Sequence, residues 1–582
     1  MEYSELVKVY EQLESTSKRL EKTRIIADFI SRIRESDLSS VLLLLQGRVF
    51  PFWNEANIGV AAKLVVKAIH ASTGLSTSQI EKEWKETGDL GITAQKCIAR
   101  KKQATLFKGT LSVSKVFTNI RKLAEVGGIG SVDGKIQLIS ELLTSSSPEE
   151  GRYIVRTLME DLRVGTGEGI LRDAILWAFF SEELKISLKD GELEIEDRPK
   201  YNEYAGAVQR AYDLTNDFSL VTEICRKDGL KGLLGQSMIV GKPVKVMLAL
   251  KAKNAQDGLD MVGMPAQAEY KLDGFRMQVH KHEKIIKLFT RRLEDVTKQF
   301  PDVVKAIEEG ISAESCILDS EAVGYEIGTG KYLPFQNISQ RIRRKYDIEE
   351  IAGKFPVELN IFDVIYLNGK SMLDMTFKER RKTLGKILKK KSKGAVIVKG
   401  ITVKSADEID KFFKEAIEKG TEGLMLKSFD SPYQPGARVG HMVKLKQTME
   451  NLDLAIIGAE WGEGKRASWL SSYTLACKDN GKLLEIGKVS TGLKEKEEEG
   501  LSFVEMTRIL GPLVISEKGR EVKVKAKIII EVAYEEIQSS PTYNSGYALR
   551  FPRVVRLRTD EMDVEDISSL DYVEKLYNAQ KS

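Results

Sequence analysis

The sequence predicts a multidomain protein with an all-α first third, an α+β middle and a β-barrel at its C-terminal end. Apolar residues recur at helical spacing over roughly the first 230 positions, with little strand-like alternation. From about Val244, short strand candidates alternate with helical stretches, and after about Glu450 the pattern becomes mostly β. A chain of 582 residues is also too long for one hydrophobic core.

In the first third, Ile25, Ile26, Phe29, Ile30 and Ile33 fall on one helical face, as do Ile170, Leu171, Ala174, Ile175 and Ala178. Gly229, Gly232, Gly235, Gly241 and Pro243 then predict a linker over 229–245. In the middle, strands are expected at 269–274, 317–324, 357–366 and 422–427, with a helix at 409–419. Residues 473–489 read as a hairpin, because Asn480-Gly481 tolerates the positive φ of a tight turn. Val522, Val524, Ala526 and Ile528 alternate with Lys523, Lys525 and Lys527, one face apolar and the other cationic. Such short strands in a terminal block of about 130 residues point to a small barrel.

Composition narrows the function classes. Hydrophobic residues make up 42% and charged residues 30%, which suits a globular rather than a disordered chain. The longest apolar runs, 41–45 and 174–180, fall far short of the ~20 residues a membrane helix needs. The N-terminus is charged and helical, without a signal-peptide core, so the expectation is an intracellular, cytoplasmic protein with no membrane partner. A net charge of +5 permits nucleic-acid binding without demanding it. Cys97, Cys225, Cys316 and Cys477 are scattered singly, which argues against a zinc ribbon or a disulfide framework. Four histidines argue against chemistry built on His clusters, and heavy Lys/Glu usage suits a thermophile.

The most informative stretch is Glu269-Tyr-Lys-Leu-Asp-Gly-Phe-Arg276. In an extended strand Glu269, Lys271 and Asp273 share a side, which sets a lysine between two carboxylates. A surface strand with a salt-bridged lysine would look the same. Company decides between the readings: Thr290-Arg291, Leu318-Asp-Ser-Glu-Ala-Val323, Phe362 within 361–365, Glu422-Gly-Leu-Met-Leu-Lys427, Arg438, Val443-Lys-Leu-Lys446 and Leu549-Arg-Phe-Pro-Arg553 follow in order.

In this ordered set the chain resembles the ATP-dependent DNA ligases of archaea and the eukaryotic nucleus, covalent lysine nucleotidyltransferases. The resemblance is strong over about 240–560 and weaker before it. It implies an all-α DNA-binding domain over 1–235, an ATP-grasp-like α+β nucleotidyltransferase domain over 240–447, and an OB-fold β-barrel over 450–582. It also implies ATP and Mg²⁺ as cofactors and nicked duplex DNA as substrate, in replication, repair and recombination. Lys271 would take AMP from ATP, and a free lysine must lose its proton to do so. Glu321 and Glu422 would hold Mg²⁺, since hard carboxylate oxygens suit that ion. Phe362 would stack on adenine and Glu269 accept from its amino group. Arg276, Arg291 and Arg438 would contact sugar and phosphates, Lys444 and Lys446 would neutralise the α-phosphate, and Arg550 and Arg553 would reach the departing pyrophosphate, with a hinge at 447–453. Met442 departs from the family, which often has Trp there, so indole contacts are lost. A parity puzzle remains in the fourth motif: in an unbroken strand Glu422 and Lys427 point to opposite faces.

Gln103, Leu106 and Phe107, preceded by Arg100-Lys-Lys102, resemble the short segment by which archaeal ligases dock on the sliding clamp; a helix end with two core residues would look similar. A monomer is expected. The alternative reading is an RNA ligase or RNA-capping nucleotidyltransferase, which shares the lysine motif and the barrel.

Overall fold

Several helices start at residues whose side chains cap them. Ser147 and Glu150 make a reciprocal capping box at the start of helix Pro148–Leu158, with Pro148 in its first turn. Ser76 and Gln79 do the same for helix Thr77–Thr87. A computed structural model describes all residues except 52, 55, 102–109, 129, 190–191, 327, 334, 336–337, 339–340, 343–347, 390–392, 447–448, 463–465, 467, 496–497, 499 and 581–582. Gln103, Leu106 and Phe107 therefore lie outside the described residues, as does the start of the expected hinge. By its internal contacts the chain divides into two units, Met1–Leu445 and Lys446–Ser582.

The first unit opens with a bundle of helices around one apolar cluster, from Tyr3 through Ile154 and Trp177 to Leu233. The buried ion pair of Arg156 with Asp89 (2.7 Å) ties helix Pro148–Leu158 to the N-cap of helix Leu90–Ala99. The region is not purely helical, since β1 (Ile186–Lys189) and β2 (Glu192–Ile195) form an antiparallel hairpin between helices Glu168–Leu184 and Arg198–Thr215. Their side chains alternate between exposed and half-buried, a pattern too short to show in an amphipathic scan. The expected linker also starts later: helix Phe218–Leu234 continues past Gly229, which absorbs a kink at φ 57°.

The rest of this unit holds two sheets. Its strands are β3 (Leu248–Lys251), β4 (Ala266–Lys271), β5 (Phe275–His282), β6 (Ile285–Thr290), β7 (Ser315–Tyr325), β8 (Tyr332–Leu333), β9 (Val357–Leu367), β10 (Lys370–Ser371), β11 (Ala395–Ile397), β12 (Gly400–Val403), β13 (Gly423–Ser428) and β14 (Arg438–Lys446). One sheet has the order β10-β9-β7-β5-β6, with β11 paired to β9 and β8 to β7; the other runs β12-β4-β13-β14-β3. The expected strand at 269–274 ends at Lys271, and Asp273-Gly274 carries the chain from β4 in one sheet to β5 in the other. A Cβ on Gly274 would sit 2.3 Å from the Ala322 carbonyl oxygen and 3.0 Å from Glu321 Cγ, so only glycine lets β5 enter so close to β7.

The second unit is β-rich: β15 (Leu452–Trp461), β16 (Leu470–Asp479), β17 (Lys482–Val489), β18 (Val514–Lys518), β19 (Glu521–Ala533), β20 (Glu536–Ser539), β21 (Tyr547–Arg550) and β22 (Arg553–Leu557). The hairpin is as expected, Tyr473 pairing with Val489 across a turn with positive φ at Asn480 (45°) and Gly481 (76°). The barrel is not closed. The sheet runs β17-β16-β15-β19-β18, and no pairing joins β17 to β18 among the described residues. The long β19 pairs β18 with its first half and β22 with its second. Helices Phe503–Leu510 and Leu570–Ala579 cover the apolar face through Phe503, Met506, Leu510 and Val573, so burial is met by helices rather than by strand closure.

Candidate active site

The inward face of β4 is polar, with Gln267 and Glu269 buried and Lys271 half-buried. Ala266, Ala268 and Tyr270 point into an apolar cluster, while Gln267, Glu269 and Lys271 line the other side, with Glu269 only 1% exposed. A strand that hides charge normally loses stability, so each charge must be matched. Lys271 Nζ lies 2.6 Å from Glu422 Oε2. Glu269 is paired on both oxygens, Oε1 with Arg381 (2.7 Å) and Oε2 with Lys427 (2.6 Å).

Register resolves the parity puzzle. In the antiparallel β4–β13 ladder, Lys427 stands opposite Gln267 and Gly423 opposite Lys271, so Lys427 already shares the face of Glu269 and Lys271. Glu422 precedes the strand. Its N–H donates to the Lys271 carbonyl (2.8 Å), and Gly423 at φ 138° turns the chain so that the Glu422 carboxylate comes round to Lys271. A side chain on Gly423 would lie 2.2 Å from the Leu445 carbonyl oxygen, which explains the glycine.

The facing sheet supplies Arg276 from β5, Asp319 and Glu321 from β7, and Phe362 from β9. Arg276 is committed to a buried network. Its Nε donates to Asp319 Oδ1 (2.9 Å), Nη2 to Asp319 Oδ2 and to the Tyr433 hydroxyl (3.3 Å), and Nη1 to the Met247 carbonyl (2.7 Å). Burial opposes the guanidinium charge, but Asp319 more than offsets it, so its pKa is raised. Most of the Arg276 donors are thus spoken for. Phe362 is half-buried, with Lys427 Nζ 4.7 Å and Arg276 Cζ 5.5 Å from its ring centre.

Glu321 carries the largest perturbation among the carboxylates here. Desolvation pushes its carboxyl up to about 8, with Glu422 and Asp319 adding to the rise and Lys271 and Arg276 opposing it. Among the described residues, no group of three or more His, Cys, Asp or Glu forms a metal cage. The pair Glu321 and Glu422 nevertheless fits a hard divalent cation, because two carboxylates that repel each other in a desolvated site gain from one.

The remaining expected residues belong to other elements. Arg291, after β6, and Arg438, at the start of β14, are exposed, while Lys444 follows on β14 beside β3. Lys446 falls in the second unit, where its Nζ donates to Glu535 (2.9 Å). There too Arg550 donates to Glu536 (2.9 Å), and Arg553 is exposed at the start of β22. Met442 is buried beside Tyr433 and Val439, in a space filled without an indole. Sequence reasoning passed over Asp319, Arg381 and Tyr433. Asp319 lay inside a motif already quoted, but Arg381 carried no signal beyond an ordinary basic helix.

Family profiles match three stretches: "DNA ligase N terminus" over 2–176, "ATP dependent DNA ligase domain" over 246–446 and "ATP dependent DNA ligase C terminal region" over 466–561. The DNA ligase of Nanoarchaeum equitans is 44% identical, with 100% of this chain and 99% of that protein aligned. This chain belongs to the ATP-dependent DNA ligase family. The DNA ligase of Thermococcus fumicolans, another relative, is 40% identical over 100% of this chain and 99% of its own length. The solved structure Pmar-Lig_PreS3 shares the fold at 16% identity and a TM-score of 0.55, with 95% of this chain and 99% of that one covered. No described helix is long and apolar enough to cross a membrane.

Proposed function

We propose that Lys271 attacks the α-phosphorus of ATP: a P–N bond forms, the α–β phosphoanhydride bond breaks, and pyrophosphate leaves. The observation that carries this reading is the 2.6 Å approach of Glu422 to Lys271 Nζ, on a buried polar strand face whose neighbour Glu321 is desolvated. Glu422 is placed to receive the amine proton, which leaves the nitrogen lone pair for phosphorus. Glu321 and Glu422 would hold Mg²⁺, which would supply charge neutralisation at the phosphates. Phe362 stacks on adenine, Glu269 accepts from its amino group, and Lys444 and Lys446 balance phosphate charge. Arg276 acts mainly by orienting the site through Asp319, while Arg291 and Arg438 meet sugar and phosphate. The pyrophosphate is assigned to Arg550 and Arg553 on their motif. AMP then passes to the 5′-phosphate of a nick in duplex DNA, and the 3′-hydroxyl displaces it to seal the strand.

The same proposal takes the chain to work in three parts, 1–235, 240–447 and 450–582, as a cytoplasmic monomer. It includes docking on a sliding clamp through Gln103, Leu106 and Phe107, supported by their sequence pattern. The deciding experiment is incubation with Mg²⁺ and ATP radiolabelled on its α-phosphate, followed by nicked duplex. A covalent adduct that is chased into joined strands is expected; label retained by Lys271→Ala would end the proposal. Labelling by ATP and not GTP separates it from a capping enzyme. Joining of nicked DNA in preference to RNA ends separates it from an RNA ligase.

A further inference from the structure

The Glu269 site holds more charge than base recognition alone requires. Its carboxylate is almost fully buried and flanked by two cations from different elements: Lys427 on β13, and Arg381 on helix Phe377–Ile387. Lys427 is wedged between the rings of Phe362 and Phe377, 4.7 and 4.8 Å from their centres. Arg381 is anchored elsewhere, because its Nη2 donates to the Val398 carbonyl (2.6 Å) in the link between β11 and β12. That link joins the edges of the two sheets: Val398 N–H donates to Ile361 beside Phe362, and Tyr270 N–H donates to Lys399 beside Glu269. The Arg381–Glu269 pair is close, at 2.7 Å, yet unaligned. Neither Oε1 nor Nη1 makes a hydrogen bond of good geometry there among the described residues, and neither atom touches solvent. A salt bridge built only for stability would align its fork with the carboxylate.

We propose that Arg381 is a positioning residue for nucleobase recognition. Held from Val398, it fixes the rotamer of Glu269 while leaving Oε1 with an unused acceptor direction, which the 6-amino group of adenine fills. Lys427 holds the second oxygen so that the carboxylate cannot swing away. This rests on the adenylation reading and adds to it a residue that touches neither phosphate nor reacting atoms.

The test compares lysyl-adduct formation from ATP and from purine riboside 5′-triphosphate, which lacks the 6-amino group, in the full chain and in Arg381→Gln and Arg381→Lys. For Arg381→Gln the KM for ATP should rise about tenfold or more, the scale of one charge-assisted hydrogen bond. Its kcat should change far less, and its KM for the purine analogue should barely move, so discrimination between the two nucleotides collapses. Arg381→Lys should restore part of it. A KM that rises equally for both nucleotides would overturn the proposal, since general loosening is then sufficient; unchanged discrimination would overturn it as well. Should Arg381→Gln fail to fold, Arg381→Lys carries the test, and wild-type discrimination in that variant is the overturning result. The two readings fail separately. If the wild-type chain forms no adduct with ATP, adenylation has failed; if it does and Arg381→Gln still discriminates, only the role of Arg381 has.

Discussion

The inward face of β4 and the arginine-rich strand β22 both concentrate charge, but they treat it in opposite ways. Around β4 the charges are buried or half-buried and matched by partners from distant parts of the chain: Glu269 with Arg381 and Lys427, Arg276 with Asp319, Lys271 with Glu422. On β22 and just beyond it, the exposed Arg556 and the half-buried Arg558 pair with Glu531 and Glu561 nearby. Exposed pairs are worth about 0–1 kcal/mol each. Buried charges cost several kcal/mol when left alone, so a fold retains them only where geometry matches them tightly. The contrast separates the charges a fold must match tightly from those it leaves to solvent, a distinction that counting arginines and lysines cannot make.

The sharpest way to break that comparison is at its centre. Lys271→Ala is expected to abolish the covalent nucleotide adduct completely, read by mass spectrometry of the intact protein; an adduct elsewhere would mean the buried face has another purpose. Next comes the neighbouring pair of Arg380 with Asp363 (2.8 Å), in which both side chains are nearly inaccessible. Asp363→Ala should lower unfolding stability by about 3–5 kcal/mol, because it strands a buried guanidinium. Replacing both residues together with apolar ones should cost far less, and urea denaturation of the single and double variants measures the difference.

A third test uses pH. His280 is buried, accepts the Gly241 N–H on Nδ1 (2.9 Å), and is held down to about 3 by desolvation, with Lys287 contributing. Its folded pKa is depressed, so the unfolded chain binds a proton that the native one refuses. Stability is full above about pH 6.5 and is lost as the pH falls toward 3. Between pH 6.5 and 5, before most carboxylates titrate, the loss should reach about 2 kcal/mol. A urea midpoint followed over that window should flatten in His280→Gln; an equal slope in both proteins would remove His280 from the account. The smallest effect belongs to the surface. Arg556→Ala, despite two ion pairs, should barely move the urea midpoint, and the shift should shrink further in salt. A larger loss would erase the distinction between the two regions.

Much of the site was legible because its chemistry needs residue types at fixed spacing. Lys271, Glu321, Phe362 and Glu422 could be named from local strings, and their strands lie close to where alternation put them. What escaped notice is whatever depends on one segment lying across another. Arg381 sits on a helix more than one hundred positions from Glu269, and no local pattern distinguishes it from Lys382. The motif suits Arg276 to sugar and phosphates, and it gives no sign that most of its donors go to Asp319, Tyr433 and Met247 in the fold. The barrel expectation failed at closure for a related reason. Alternation shows which face of a strand is buried, not whether strands or helices bury it.

By itself the sequence determined the order of the segments, the covalent lysine candidate and the family, because periodicity, turn chemistry and motif spacing are properties of neighbours along the chain. Tertiary structure alone decided which charges are buried and with whom they pair: the Glu269 triad, the Arg276 network, and the turn at Gly423 that brings Glu422 to Lys271. The reason is physical. Desolvation and Coulomb energies depend on distances through space, which become defined only when the two sheets close on each other.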